Sequence, residues 1–144
     1  MQIRKIIMAG FFGGLLLFVV TVVSGAIANA ILPYSIFDIP GMRPMTDPVS
    51  MLFFLYPFVV AGAAAILYDI IDPVLAGEPV RKGARFGLLL FLIFTIPYQF
   101  IVWSSMDYPA GFYLSNILFG IIGFPLFGML CARTWGQGGE KAEA

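Results

Sequence analysis

Histidine is absent from this 144-residue sequence, and cysteine occurs once, at Cys131. Without imidazole, the chain lacks the one side chain that ordinarily changes charge near neutral pH, which is also the commonest metal ligand. A single cysteine cannot form a disulfide bond within the chain. The sequence therefore excludes an imidazole proton shuttle, and we expect neither a metal site nor a cofactor.

Charged residues are also scarce. They make up 11% of the chain, against about 25% in soluble domains. Hydrophobic residues make up 60%, so most of the chain is unsuited to contact with water. Eight basic residues balance eight acidic ones, which does not indicate the basic face that nucleic acid requires. The composition predicts a membrane protein that contacts membrane lipid and binds no nucleic acid.

Four long runs without a charged residue account for this composition. They cover residues 6–32, 49–68, 86–105 and 111–132. Each is long enough to cross a bilayer, and a segment in hydrocarbon must be helical to pair its backbone groups. We predict an all-α polytopic membrane protein, an up-down four-helix transmembrane bundle, with residues 1–134 as its single domain. Residues 135–144 are predicted to form a disordered cytoplasmic tail.

The first run has a second interpretation, a secretory signal. Basic residues precede it, and Ala28-Asn29-Ala30 resembles a cleavage site. The apolar part of a signal peptide is about 7–15 residues long, however, and this run is much longer. The length favours a helix that is retained in the membrane.

The distribution of Lys and Arg predicts the orientation, because short basic loops stay in the cytoplasm. Seven basic residues would lie on one side of the membrane: Arg4, Lys5, Arg81, Lys82, Arg85, Arg133 and Lys141. The other side would carry Arg43. We predict both termini inside (N-in, C-in) and a multi-pass location in the cell membrane. The connections at 33–48, with four prolines, and at 106–111 would face outside.

Small residues predict where the helices pack, because helices in lipid associate through close backbone approach and interhelical hydrogen bonds. Gly10 and Gly14 form a GxxxG pair in the first run, Gly83 and Gly87 form another at the third, and Gly120 lies in the fourth. One interpretation is packing within the chain. The alternative is a face for a homo-oligomer or a membrane-protein partner.

Prolines lie inside three of the predicted helices, at Pro57, Pro97 and Pro125. Proline removes a backbone donor and clashes with the carbonyl four residues earlier, so it kinks a helix. Each proline therefore predicts either a bend that shapes the packing or a hinge beside a widened cavity.

Uncharged polar side chains concentrate in the predicted outer half of the membrane. The candidates are Asn29, Tyr56, Thr95, Tyr98, Gln99, Trp103 and Asn116. A buried amide without a partner costs about 1–3 kcal/mol, so the amides are expected to point into the bundle. They would act either as interhelical polar contacts, with Trp103 in the aromatic belt, or as the lining of a ligand pocket under the proline-rich loop.

The sequence does not specify the function. No Walker, nucleophile-elbow or zinc motif is present, and no charged residue lies deep in a span as ion-coupled carriers require. We expect a non-enzymatic structural or accessory component that acts through helix contacts. The alternative is a ligand-binding or transport protein with a pocket lined by Asn29, Tyr56, Tyr98, Gln99 and Asn116. An enzyme would depend on the loop residues Asp38, Asp47 and Asp107.

Overall fold

The computed structural model describes residues 1–136, and four long helices dominate them. The helices are α1 (Ile3–Ile31), α2 (Pro48–Val74), α3 (Pro79–Ser105) and α4 (Ala110–Gly136). A short 3₁₀ turn, Ile36–Asp38, lies in the connection between α1 and α2, and no strand occurs in residues 1–136. All four helices are long and apolar enough to cross a membrane, which confirms the predicted four-helix, all-α fold.

The two ends of the bundle differ in the helix ends and connections that lie there. The basic end holds Ile3, Gly136 and the connection between α2 and α3. The loop end holds the long connection 32–47 and the short connection 106–109.

Proline and aspartate set the helix boundaries. Helix α1 stops at Ile31 because Leu32 precedes a proline and adopts a non-helical conformation. Helix α2 begins after Asp47, whose carboxylate accepts a hydrogen bond of 2.9 Å from the Val49 backbone N–H. That bond, and a salt bridge to Arg43, lower the pKa of Asp47 below its ordinary value. Proline occupies the first positions of α2 and α3, where a missing N–H costs nothing.

Helices α3 and α4 each contain one π-helical turn, at Phe91–Thr95 and Phe119–Gly123 respectively. Each turn ends two residues before a proline, Pro97 or Pro125. A π turn inserts one residue and changes the pattern of i→i−4 backbone hydrogen bonds at the point where proline would interrupt it. The two π turns contact each other, so both lie at the α3–α4 interface.

The helices pack in the order α2–α1–α4–α3. The largest contacts join α1 to α2 and α3 to α4, and α1 packs against α4 along much of its length. A short connection joins α2 and α3 at the basic end. Within residues 1–136, the contacts between these two helices lie at that same end. Phe86 of α3 stacks edge-on against Tyr68 of α2, and Lys82 pairs with Asp72 at 2.7 Å.

Glycines set both close helix pairs. A Cβ placed on Gly10 would lie 3.4 Å from the Gly62 Cα, and one on Gly14 would overlap the Phe58 ring. Helix α1 therefore approaches α2 closely over the basic-end half of the bundle, through residues that the sequence analysis singled out as packing glycines.

The α3–α4 pair is closer still. A Cβ on Gly83 would lie 2.5 Å from the Gly128 carbonyl oxygen, and one on Gly87 would overlap the backbone of Phe124 and Pro125. Further along, a Cβ on Gly120 would overlap Thr95. All five predicted packing glycines thus face another helix of the same chain.

A cluster around Tyr68 closes the basic end. Tyr68 is fully buried, and its ring lies edge-on against Phe86 and Trp135, with centroids 4.9 and 5.2 Å away. Trp135 donates its indole N–H to Asp69 at 3.0 Å, and the Lys5 ammonium donates to the Trp135 carbonyl at 3.0 Å. Residues from all four helices meet in this cluster.

The cluster corrects the predicted tail. Helix α4 continues through Gly136, so the prediction of disorder from residue 135 is wrong at Trp135 and Gly136. The apolar surface and the N–H of the Trp135 side chain both find partners in the bundle, which orders the last helical turn. Residues 137–144 of the predicted tail lie outside the described residues.

The glycine contacts predict a matched pair of stability effects. Gly87→Ala is expected to lower the free energy of unfolding by about 1–3 kcal/mol, because its methyl group would meet rigid backbone of α4. Gly62→Ala is expected to be neutral or to stabilise by up to about 1 kcal/mol, because a Cβ there meets open space and alanine favours helix. Unfolding titrations of both variants in mixed micelles would measure this, and equal effects would contradict the proposed packing.

Candidate functional site

A cavity of about 800 Å³ lies in the loop-end half of the bundle. All four helices and the α1–α2 connection contribute to its walls. The lining residues are Thr21, Val22, Gly25, Asn29, Tyr34, Ser35, Ile36, Phe37, Phe53, Tyr56, Tyr98, Phe112, Ser115 and Asn116. Its volume falls in the range of about 300–1,000 Å³ that is typical of small-molecule sites.

The helix packing explains where the cavity opens. Helices α2 and α3 contact each other at the basic end, whereas Tyr56 of α2 and Tyr98 of α3 both line the cavity. These two side chains are 55% and 48% exposed respectively. The cavity is therefore open between α2 and α3, on a side of the bundle that lipid would cover.

The depth of the cavity follows from helix geometry. Thr21 lies ten residues before the end of α1 at Ile31, which corresponds to about 15 Å along the helix axis. Asn116 lies six residues into α4, about 9 Å from the start of that helix. On α1, the cavity thus extends about 15 Å from the loop end of a helix that is about 44 Å long.

Polar groups of the lining are only partly satisfied by the protein. Asn29 accepts a hydrogen bond of 2.9 Å from the Tyr34 N–H through its Oδ1, and Asn116 donates its Nδ2 to the Phe112 carbonyl at 2.9 Å. The second amide atom of each has no partner among the described residues. The same holds for the hydroxyls of Tyr56 and Tyr98. These groups remain available to a bound molecule.

The structure brings four of the predicted site residues together in this cavity: Asn29, Tyr56, Tyr98 and Asn116. The prediction did not include the α4 residues Phe112 and Ser115. Thr21, Gly25 and Asn29 follow one another at intervals of four residues, which was a usable signal that they share a face of α1. The proline-rich loop was predicted to lie over the pocket, and its residues 34–37 do line the cavity, but no signal in the sequence identified these four residues within the loop.

Gln99 does not line the cavity, so that part of the prediction is wrong. Its side chain is 8% exposed and lies between α3 and α4, where Nε2 donates to the Tyr113 carbonyl at 3.0 Å. Gln99 follows Gly87 by 12 residues, which places the two about 120° apart on a regular helix. The inserted residue of the π turn reduces this to about 20°, so Gln99 turns toward α4 with Gly87.

Thr95 and Trp103 also lie outside the cavity. Thr95 is buried against Gly120 of α4 and is not among the lining residues. Trp103 is 71% exposed near the end of α3, where it faces the surroundings of the bundle. Neither residue is positioned to contact a molecule in the cavity.

A second cavity, of about 380 Å³, lies in the connection between α1 and α2. It shares Ile36, Phe37 and Phe53 with the larger cavity, so these residues separate the two spaces. None of Asp38, Asp47 and Asp107 lines either cavity. In residues 1–136, the structure contains no group of three metal-binding side chains.

Comparison with known proteins gives no family assignment. No family model, curated protein or solved structure matches this chain. The function must therefore be inferred from the chemistry of the cavity.

Gln99 provides a test of the site boundary. Gln99→Leu is expected to change the free energy of unfolding by less than about 1 kcal/mol, because it removes one interhelical hydrogen bond and one buried acceptor, Oε1, that lacks a partner in the described residues. Gln99→Glu, of equal length, is expected to destabilise by about 2 kcal/mol or more, because it buries an ionisable group. Unfolding titrations would decide; a loss above 2 kcal/mol for Gln99→Leu would contradict this assignment.

Proposed function

We propose that this protein is a non-enzymatic, multi-pass membrane protein that binds an amphiphilic molecule in the loop-end cavity. The observation that carries the proposal is the combination of volume and lining. A space of about 800 Å³ opens toward lipid between α2 and α3, and the residues that line it include tyrosines and asparagines whose hydroxyl or second amide atom has no partner in the described residues. An amphiphile would satisfy both parts of this surface, with its head on the polar groups and its chain on the aromatic ones.

The orientation of the binding site follows from charge. Six of the seven basic residues in residues 1–136 belong to the basic end, and the loop end carries Arg43. By the positive-inside rule we propose that the basic end faces the cytoplasm and that the cell membrane is the location. The cavity would then take its ligand from the outer leaflet.

The closed basic end supports binding rather than passage through the bundle. In the middle of the bundle, Thr95 packs on Gly120 where the two π turns meet. Further toward the basic end, Tyr68 and its neighbours are fully packed. Transport by alternating access would have to break both the Thr95–Gly120 contact and the packing around Tyr68. The spans contain no deep charged residue that could couple such a motion to an ion.

The accessory role expected from the glycine pairs has less support. Gly10, Gly14, Gly83, Gly87 and Gly120 all pack against helices of the same chain, so these residues are not free to hold a second copy or a partner. Assembly with itself or with another membrane protein stays a prediction that would have to use a different face.

Filling the cavity tests the proposal. A Cβ on Gly25 would have the Ser115 hydroxyl oxygen as its nearest neighbour at 3.9 Å, so the Cβ of Gly25→Leu fits without a clash. The rest of the leucine side chain would project into the cavity. The wild-type protein, extracted gently and measured by native mass spectrometry, is expected to retain a bound amphiphile. Gly25→Leu should retain at least about tenfold less, because the added side chain occupies the site.

The matched control is Ala26→Leu, which places the same leucine side chain at the next, exposed position of α1, outside the cavity lining. It should retain the ligand at the wild-type level. Unfolding titrations should show Gly25→Leu folded, and Ser115→Leu provides a second filling variant if it is not. Bare wild-type protein, or equal retention in Gly25→Leu and Ala26→Leu, would refute the proposal.

A further inference from the structure

The chemistry of the cavity also restricts the kind of head group that it can hold, an inference that rests on the proposed function. None of the fourteen lining residues, all in the described part of the chain, carries a charge. A charged head in a low-dielectric site is costly unless an opposite charge or several strong donors compensate it. Recognition of phosphate in particular uses Arg or Lys, and the lining offers neither.

The charged residues nearest in sequence do not compensate for this. Arg43 is paired with Asp47 at 2.7 Å and belongs to the smaller cavity in the loop. Asp38 follows the lining residue Phe37 but is exposed and does not line the cavity. A phosphate that entered the site would therefore lose its counter-ions and would find no positively charged side chain among the lining residues.

The lining does offer hydrogen bonds to an uncharged head. The hydroxyls of Tyr56 and Tyr98 lie on the α2 and α3 walls, and both can donate. On the α1 and α4 walls, the free Nδ2 of Asn29 can donate and the free Oδ1 of Asn116 can accept. Hydroxyl and carbonyl oxygens match this mixture of donors and acceptors.

We infer that the cavity selects a neutral lipid, an amphiphile whose head carries hydroxyl or carbonyl oxygens and no charge. Two membrane components share this chemistry: a diacylglycerol, with a hydroxyl and ester carbonyls, and a polyprenyl quinone, with two ring carbonyls. The aromatic lining residues Phe37, Phe53 and Phe112 can pack against acyl or prenyl chains and against a ring alike.

A competition experiment tests the inference. The full chain is reconstituted in phosphatidylcholine vesicles that contain equal amounts of diacylglycerol, polyprenyl quinone and anionic phosphatidylglycerol, then extracted and measured by native mass spectrometry. We expect diacylglycerol or quinone to be retained at least tenfold above phosphatidylglycerol. Which of the two dominates identifies the source of the head group.

Removing hydroxyls without changing shape gives the matched variants. Tyr56→Phe combined with Tyr98→Phe is expected to lower retention of the neutral lipid by about fivefold or more, because each change removes a donor to the head. Tyr108→Phe, outside the cavity lining, should leave retention unchanged. Equal retention in the double variant and the wild type would overturn the role of these hydroxyls and with it the inference.

The outcomes separate the two levels of the proposal. Preferential retention of phosphatidylglycerol or phosphatidylcholine, lost in Gly25→Leu, would overturn the neutral-head inference and leave the binding function standing. Retention of none of the lipids above the level of Gly25→Leu would overturn both.

Discussion

Close backbone contact at glycines in the basic-end half is the constraint on which the rest of the structure depends. Lipid provides no hydrophobic force between helices, so contact distance and packing decide which helices pair. Gly10 brings α1 against Gly62 of α2, and Gly83 and Gly87 bring α3 against Gly128 of α4. Two tight pairs result, and they are joined through α1 and α4 and by the residues around Tyr68.

This arrangement explains why the loop end has a cavity. Helices α2 and α3 lie at opposite ends of the packing order, and the contacts that connect them in the described residues are at the basic end. Toward the loop end nothing comparable draws them together, and space remains beside Tyr56 and Tyr98. The loop at 34–37 lies over this space and contributes to its wall. The binding proposal thus depends on the same asymmetry that stabilises the bundle.

Much of the fold could be predicted from the sequence because lipid imposes strong rules. Long uncharged runs must be helical, and this fixes the number of helices without any knowledge of their packing. The helix ends were less predictable, because α2 continues past Asp69 and Asp72 to Val74 and α3 begins at Pro79, before its apolar run. Charged side chains at a membrane surface can extend a helix, so a run without charge underestimates its length.

The candidate site was predictable where polarity alone was informative. Asn29, Tyr56, Tyr98 and Asn116 are polar residues at similar depth, and they do share one cavity. Gln99 has the same polarity and depth but faces α4, because the π turn at Phe91–Thr95 rotates the helix that follows. That turn lies two residues before Pro97 and contacts the second π turn in α4, and a prediction from regular α-helical spacing does not include it.

The most direct test of the central claim is an experimental density map of the protein crystallised from a lipid mesophase. Our account predicts that α2 and α3 are separated in the loop-end half, with elongated non-protein density against Tyr56, Tyr98 and Asn116. Direct packing of α2 on α3, with Tyr56 against Tyr98 and no space between them, would contradict it.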